Sequence, residues 1–403
     1  MKVAIMGYGT IGSGVAAVLE KNADIIEKKC GQPIELKWVL DVREFEGDPI
    51  QPKVVHDVNV LAEDPEVGVV VETMGGVEPA YTFASKMLAA GKSVVTSNKA
   101  LVAKKGAELL EMAQANKVSF LFEASVGGAI PIIRPFDKCM TADEITAIYG
   151  IFNGTTNYML TMMDRCGRDY AQVLSEAQEK GYAEKDPTAD VCGYDTCRKI
   201  AIITSMVSGM QVDFEDIYTE GITEISEMDF KYAHELGTSV KLLGISRKSE
   251  GRYYAMVAPM MISTQSPLYA VSDVFNGILV EGSMFDRLMF YGRGAGSLPT
   301  ATAVVADIID AASNPGRTVQ KGWSREKLEL GDKGELTGRF FVRVSGSRAD
   351  KECAVKDAFG DVSFVELDGA DEFAFVTPVM TEAAYSEAAA GVCGIIHMIR
   401  MEA

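Results

Sequence analysis

KVAIMGYGTIGSGVAAVLEK, residues 2–21, opens the chain with a short apolar run, a glycine-rich turn and a helical pattern. The apolar run predicts a buried strand. The glycines of the turn follow the spacing G-x-G-x-x-G, in which the first permits a tight bend, the second lets backbone amides approach a pyrophosphate, and the third allows close helix packing. A glycine-rich turn without a ligand is the alternative, but the strand, turn and helix order favours a dinucleotide site. The residues assigned to the dinucleotide here are Gly7, Gly9, Thr10, Ile11 and Gly12.

A second apolar run, residues 34–40, ends at Asp41. A carboxylate at the end of the second strand is placed to hold the ribose hydroxyls of NAD, so we assign Asp41 to the cofactor. Arg43, two residues later, could instead meet the 2'-phosphate of NADP. The preference between NAD and NADP stays open.

Strand-like and helical patterns then alternate as far as residue 123. The strand-like runs are residues 68–72, 93–96 and 118–123, and the helical patterns are residues 80–90 and 105–116. This alternation predicts an α/β fold with a doubly wound parallel sheet of the Rossmann type. Ligands bind such sheets at the carboxyl ends of the strands, where residues 73–76, 97–99 and 124–131 fall. We therefore place Gly75 and Lys99 at the cofactor site, against the alternative that Lys99 is a solvated loop lysine.

The middle of the chain carries a group of carboxylates and one lysine: Glu184, Asp190, Asp195 and Lys199. The last two are four residues apart, so on a helix they share a face, and an exposed ion pair is the ordinary explanation. The helix continues into an almost wholly apolar run, residues 200–207, which predicts burial instead. A buried lysine beside carboxylates is a tunable acid/base group, and the carboxylates could bind a substrate ammonium.

The composition limits the classes of function. At 403 residues the chain is long enough for two or three domains. A formal net charge of −18 repels phosphate backbones, so we expect no nucleic-acid partner, and no apolar stretch is long enough for a membrane span. Seven cysteines without a C-x-x-C pair predict reduced thiols, and three histidines leave acid/base chemistry to lysine or carboxylates. Because the first turn leaves no room for a signal peptide, we expect a cytoplasmic protein.

The C-terminal part of the chain has a pattern of its own. A predicted helix at residues 301–311 and a break at residues 314–317 precede a charged linker at residues 324–338. The remaining residues predict the order βαββαβ. Its strands are residues 339–344, 362–367, 372–378 and 394–401, and its helices are residues 351–359 and 382–390.

Four segments resemble signature segments of homoserine dehydrogenases: EASVGGAIP at residues 123–131, GIFNGTTNY at 150–158, AQEKGYAEKDPTADVCGYDTCRK at 177–199 and GAGSLPT at 294–300. The resemblance covers roughly residues 1–320. It implies an enzyme that uses NAD or NADP to interconvert L-homoserine and L-aspartate 4-semialdehyde, on the route to threonine, methionine and isoleucine. The C-terminal pattern resembles an ACT regulatory module, which many members carry. The usual turn D-x-P-G-V-L is replaced here, so a structural or oligomerising role is an equal alternative.

The resemblance also implies roles for individual residues. Lys199 would be the acid/base group, and Lys99 would stand near the nicotinamide and the substrate. Glu184 and Asp195 would bind the ammonium of homoserine, with Asp190 in support. Two further glycines would touch the dinucleotide: Gly181 and Gly296. A monovalent cation, usually sodium, would be held by the backbone carbonyls of Glu123, Val126, Gly128 and Ile130.

Three domains are expected on this basis: a dinucleotide-binding domain at residues 1–132, completed by about 292–320, an α+β substrate and dimerisation domain at 133–291, and an ACT-like domain at 338–403. The assembly would be a homodimer paired through the middle-domain sheet, or a homotetramer.

Members of the family that use NADPH commonly have an arginine where this chain has Leu40.

Two other functions remain open from the sequence. One is a dehydrogenase for another small amino-acid-like aldehyde or for a 2-hydroxy acid, against which the group of carboxylates argues. The other is a regulatory protein that binds NAD without chemistry, against which the intact acid/base segment argues.

Overall fold

The structure is a computed structural model that describes residues 1–402. These residues divide into two compact units. The first unit comprises residues 1–144, 201–214 and 290–328, and the second comprises residues 145–200, 215–289 and the chain from residue 329 onwards. Within the described residues, no helix is both long and apolar enough to cross a bilayer.

The helices are α1 (Thr10–Lys21), α2 (Ala23–Cys30), α3 (Val58–Glu63), α4 (Ala80–Ala89), α5 (Lys99–Ala115), α6 (Gly154–Cys166), α7 (Tyr170–Glu179), α8 (Thr188–Val191), α9 (Tyr194–Ser208), α10 (Glu227–Glu235), α11 (Ser297–Ser313), α12 (Arg348–Phe359) and α13 (Glu382–Ala389). The strands are β1 (Lys2–Met6), β2 (Glu35–Leu40), β3 (Val54–Val55), β4 (Val67–Glu72), β5 (Ser93–Thr96), β6 (Phe120–Leu121), β7 (Ile145–Ile151), β8 (Tyr218–Thr219), β9 (Thr238–Ser249), β10 (Arg252–Ser263), β11 (Phe275–Gly282), β12 (Asp286–Arg293), β13 (Thr337–Ser345), β14 (Ser363–Val365), β15 (Glu372–Val376), β16 (Met380–Thr381) and β17 (Ile395–Met401).

The first unit is built on a six-stranded sheet in the order β3-β2-β1-β4-β5-β6, and every neighbouring pair is parallel. The predicted doubly wound sheet is therefore confirmed. Its central strand is apolar on both faces because helices cover both. Val3 and Ile5 of β1 pack in one core with Val15 of α1 and with Val304 and Ile308 of α11. The strand order reverses at β1, where ligands bind in such sheets.

Some predicted boundaries in this unit were wrong. The helix predicted to begin at residue 105 begins at Lys99, because the side chain of Asn98 accepts a hydrogen bond from the Leu101 amide and caps it there. Lys99 is thus a helical residue and not a loop residue. The strand predicted at residues 118–123 shortens to β6, since residues 123–125 form a 3-10 turn.

The second unit contains a mixed sheet in the order β12-β11-β7-β9-β10-β17-β13-β15-β14, to which β8 and β16 add short pairs. Strands β11, β7, β9 and β10 pair antiparallel. Helix α6 packs on β9 and β11, and α10 packs on β9. Strand β7 ends just before Phe152, so the carboxyl end of this strand leads directly into the cap of α6.

The C-terminal elements follow the order β13, α12, β14, β15, β16, α13, β17. Strand β17 lies parallel to β10, with Met260 opposite Arg400, so these elements extend the sheet of the second unit. Buried charges reinforce the junction. The guanidinium of Arg400 donates to Glu220 at 2.7 Å and to Glu382 at 2.5 Å, and no more than 4% of Arg400 is exposed. Because removal of one partner would leave a buried charge unpaired, this network fixes the position of β17.

Candidate active site

The glycine-rich turn of the first unit has glycine at its different positions for two different physical reasons. Gly7 has φ +95°, and a Cβ at Gly12 would lie 2.0 Å from the carbonyl oxygen of Gly7, so both positions are fixed by the protein's own packing. A Cβ at Gly9 would meet no atom within 4 Å other than those of its chain neighbours. Glycine at this position therefore keeps open a space beside the N-terminus of α1, where no side chain caps the helix within the described residues. That space and the backbone amides of the first turn of α1 fit a pyrophosphate.

Asp41 follows β2 and is held in place by its neighbours. Its carboxylate accepts hydrogen bonds from the Tyr8 amide at 2.7 Å and from the guanidinium of Arg43 at 2.9 and 3.0 Å. The Arg43 guanidinium holds the pKa of Asp41 well below its usual range. The Arg43 side chain is 56% exposed, so it can pair with Asp41 and still reach a ligand. Because the negative charge of Asp41 is balanced, the pair is compatible with NAD and with NADP.

A buried carboxylate organises the loops after β4 and β5. Glu72 is fully buried and accepts hydrogen bonds from the Thr96 hydroxyl at 2.6 Å and from the Met74 amide at 2.8 Å. Burial raises the pKa of Glu72. Asn98 donates to the carbonyl of Gly76 at 2.6 Å and so joins the two loops. Sequence reasoning missed Glu72, although a charge at the end of a valine-rich strand was a usable signal.

These two loops carry two of the predicted site residues. Gly75 has φ +80°, a backbone conformation that favours glycine, and lies in the loop after β4. Lys99 is partly buried and is the first residue of α5, at the carboxyl end of β5. The structure therefore places both at the edge of the sheet where the glycine-rich turn also lies.

Residues 123–131 form a loop anchored by the buried side chain of Glu123. Its carboxylate accepts the backbone amides of Ile132 and Ile133 at 2.6 and 2.8 Å, and its own amide donates to Asp307 at 2.9 Å. Burial raises the pKa of Asp307 to about 7. Three carbonyls of the loop accept no hydrogen bond from the described residues: those of Val126, Gly128 and Ile130. Carbonyl oxygens without hydrogen-bond donors are suitable ligands for a hard cation.

In the second unit, Lys199 is buried on α9. It is 8% exposed, and its Nζ donates to the Phe152 carbonyl at 2.7 Å and to Asp195 Oδ2 at 2.8 Å. Asp195 is itself 3% exposed. The predicted burial is confirmed, and the exposed ion pair is the wrong interpretation. A lysine in these surroundings can hold a proton or pass it on, because the carboxylate and carbonyl favour its charged form while burial opposes it.

Asn153 connects the carboxylates. Its Nδ2 donates to Asp190 at 2.7 Å and to Asp195 at 2.9 Å, while its Oδ1 accepts the Thr156 amide at 2.8 Å and caps α6. Only the cap is a local feature of the sequence. The contacts of Asn153 with the two carboxylates cannot be predicted from a local pattern, because these residues lie 37 and 42 positions away.

The Phe152 carbonyl is fixed by the packing of its own ring. Gly150 and Gly244 lie opposite each other in β7 and β9, and a Cβ at either would lie within 3.0 Å of the Phe152 ring. The same carbonyl also accepts Nδ2 of Asn276 at 2.8 Å. Phe152 was missed because a backbone acceptor has no side-chain signature, and Asn276 was missed because it lies 124 residues from this acceptor.

Not every predicted residue joins this group. Glu184 is exposed on the loop after α7, where its carbonyl accepts a hydrogen bond from Gln178. Gly181 has φ +71° and ends α7, and Gly296 has φ +121° and precedes α11. Gly181 thus has a local reason in helix termination, and Gly296 has one in its positive φ at the start of α11. The structure brings Asp190, Asp195 and Lys199 together and leaves Glu184 outside their hydrogen-bond network.

Comparisons with known proteins agree with one another. A model of the homoserine dehydrogenase family matches residues 131–309, and a model of the homoserine dehydrogenase NAD-binding domain matches residues 7–123. The homoserine dehydrogenase of Mycobacterium tuberculosis (strain ATCC 25618 / H37Rv) is 41% identical over 354 residues, which cover 85% of this chain and 80% of that protein. That of Bacillus subtilis (strain 168) is 41% identical over 78% of this chain and 73% of its own length.

Solved structures show the same likeness. A homoserine dehydrogenase from Thiobacillus denitrificans superposes with a TM-score of 0.90 at 33% identity, and the match covers all of this chain and 98% of that one. A homoserine dehydrogenase from S. aureus superposes with a TM-score of 0.83 at 29% identity over 100% of this chain and 98% of that one.

Proposed function

This chain belongs to the homoserine dehydrogenase family, whose members are NAD(P)-dependent oxidoreductases of amino-acid biosynthesis, and from that premise we propose how its residues interconvert L-homoserine and L-aspartate 4-semialdehyde. The observation that carries the proposal is the buried Lys199, held between the Asp195 carboxylate and the Phe152 carbonyl. Production of NADH or NADPH from homoserine, but not from 2-hydroxy acids, tests the proposed substrate.

Lys199 is the proposed acid/base group. When bound, the dinucleotide accepts or supplies a hydride. During reduction of the aldehyde, the Lys199 ammonium would stabilise the oxygen as it gains negative charge and then donate a proton to it. During oxidation, the neutral amine would take the proton of the hydroxyl. Asp195 would keep the lysine oriented in both directions.

The carboxylates are the proposed ligands of the substrate ammonium. Asp195 and Asp190 are supported by the Asn153 amide, which holds both in fixed positions. Glu184 keeps its proposed role as a further ligand, since its exposed side chain is accessible to a substrate. Lys99 is proposed to assist near the nicotinamide, because it stands at the carboxyl end of β5.

The dinucleotide site is proposed to accept NAD or NADP. The glycine-rich turn, Asp41, Gly75, Gly181 and Gly296 are its proposed contacts, and the open space beside Gly9 supports the assignment. The Asp41 and Arg43 pair would adapt to either cofactor, with the carboxylate on ribose hydroxyls or the guanidinium on a 2'-phosphate.

Replacing Arg43 with alanine should separate the two cofactors. Without the guanidinium, Asp41 would repel a 2'-phosphate, so kcat/KM for NADPH should fall about tenfold or more, the scale of one hydrogen bond to a charged group. The value for NADH should change little. The test is to measure kcat/KM with each cofactor. An equal fall in kcat/KM for NADH and NADPH would contradict a phosphate contact at Arg43.

A monovalent cation is proposed to bind the carbonyls of Glu123, Val126, Gly128 and Ile130. The last three accept no hydrogen bond from the described residues, which supports the assignment. Activity measured with a tetramethylammonium salt as the sole source of monovalent cations should be low, and added NaCl should restore it. Activity that is the same in both salts would contradict the cation site.

The C-terminal elements are proposed to form an ACT-like module with a structural role, as a third domain at residues 338–403. Their order, which is βαββαβ apart from the extra two-residue strand β16, and the pairing of β17 with β10 support this reading. Added threonine should then leave the activity unchanged, and inhibition would favour a regulatory module. The homodimer or homotetramer and the cytoplasmic location stay predictions, which gel filtration and cell fractionation test.

A further inference from the structure

We infer that Asn276 is a positioning residue for Lys199, acting through the backbone carbonyl of Phe152. The inference rests on the proposed function of Lys199 as the acid/base group. Asn276 lies at the second position of β11 and is 1% exposed. Its Nδ2 donates to the Phe152 carbonyl at 2.8 Å, and Lys199 Nζ donates to the same oxygen at 2.7 Å.

The Phe152 carbonyl oxygen therefore accepts hydrogen bonds from two donors. A carbonyl oxygen has two lone pairs, so the amide of Asn276 occupies one direction and the ammonium of Lys199 the other. The oxygen itself does not move easily, since the Phe152 ring fills the space above Gly150 and Gly244. Asn276 thus limits both the direction and the strength of the hydrogen bond from Lys199.

A second feature of Asn276 allows its role to be tested without loss of stability. Its Oδ1 is buried and accepts no hydrogen bond from the described residues. An unsatisfied buried acceptor lowers stability, and an apolar residue of similar shape would remove that cost.

The test is the variant Asn276→Leu, which removes the donor to Phe152 and the unsatisfied Oδ1 together. The variant should melt at or above the temperature of the unaltered enzyme. The value of kcat for homoserine oxidation should fall about tenfold, which is less than the 100-fold or more expected when the acid/base group itself is lost. KM for homoserine and for the cofactor should change little.

The pH profile gives the decisive readout. In the oxidising direction kcat rises with pH as the base loses its proton. Without the Asn276 amide, the Phe152 carbonyl would accept a stronger hydrogen bond from the Lys199 ammonium, and this bond would stabilise the charged form of the lysine. The rising limb of the profile should therefore move to higher pH by about half a unit, a part of what one hydrogen bond contributes.

Asn157→Leu is the matched control. Asn157 is also buried, also has an unsatisfied Oδ1, and donates to the carbonyls of Asp273 and Phe275 at the start of β11. If Asn276 only held β11 in place, the two variants would behave alike. We expect a shifted pH profile from Asn276→Leu alone.

The outcomes separate this inference from the proposed function. An unshifted profile with normal kcat in Asn276→Leu, or equal shifts in both asparagine variants, would overturn the positioning role and leave Lys199 as the acid/base group. Full activity of Lys199→Ala would instead overturn the proposed function. In the double variant, Asn276→Leu should cause no further loss beyond that of Lys199→Ala, because the two residues act as one unit.

Discussion

Replacement of Lys199 by alanine should lower kcat for homoserine oxidation about 100-fold to 10,000-fold, the range for loss of a positioned proton-transfer group. The amine is the group through which the proposed proton transfer passes, and its hydrogen bonds to Asp195 and Phe152 show that it is held in one position. The affinity for NADH or NADPH should be unchanged, since the glycine-rich turn is not altered. Single-turnover kinetics and fluorescence titration of the cofactor measure the two effects separately.

Lys231→Ala is a matched control for this variant. Lys231 also pairs with an acid four residues earlier on a helix, Glu227, at 2.9 Å, but both side chains are about half exposed. Removal of that exposed pair should leave kcat unaltered, as the small energies of such pairs imply. Turnover at the normal rate in Lys199→Ala would refute the assignment of the acid/base group.

Gly9→Ala should weaken binding of either cofactor about 100-fold, equivalent to about 2.7 kcal/mol. The backbone of Gly9 has φ −86°, which alanine adopts without strain, and no atom beyond its chain neighbours lies within 4 Å of the added Cβ. The melting temperature without cofactor should therefore stay the same. Isothermal titration with NADH and NADPH, together with differential scanning calorimetry, gives both quantities.

Gly12→Ala provides the contrast. Its Cβ would lie 2.0 Å from the Gly7 carbonyl oxygen, so the turn must shift and the melting temperature should fall even without cofactor. Gly9→Ala that binds cofactor normally would show that the pyrophosphate does not approach Gly9. A fall in its melting temperature equal to that of Gly12→Ala would show that Gly9 has a packing role.

The sequence predicted the parts of the fold that depend on local patterns. The apolar strands of the first unit and the glycine-rich turn were visible because neighbouring residues form them. The burial of Lys199 was predicted for a similar reason, since the apolar run after it indicated a buried helix. The start of α5 was missed because Asn98 was not recognised as a cap, although its position directly before a helical pattern is typical of one.

Most of what was missed depends on long-range contacts. Asn276 lies 124 residues from Phe152, and Asn153 lies 42 residues from Asp195. No local pattern identifies such partners, and one of them is a backbone carbonyl. The exposure of Glu184 was equally invisible, because its charge suits a surface loop and a ligand site alike.

The pairing of β17 with β10 also has a consequence for synthesis on the ribosome. Met260 and Met261 in β10 pair with Arg400 and Met401 in β17, so this part of the β10 edge, beyond its pairs with β8, has no partner strand until about 140 further residues have been translated. An open edge with apolar side chains is a template for pairing with another nascent chain. The newly made polypeptide should therefore depend on chaperones most strongly just before β17 emerges from the exit tunnel.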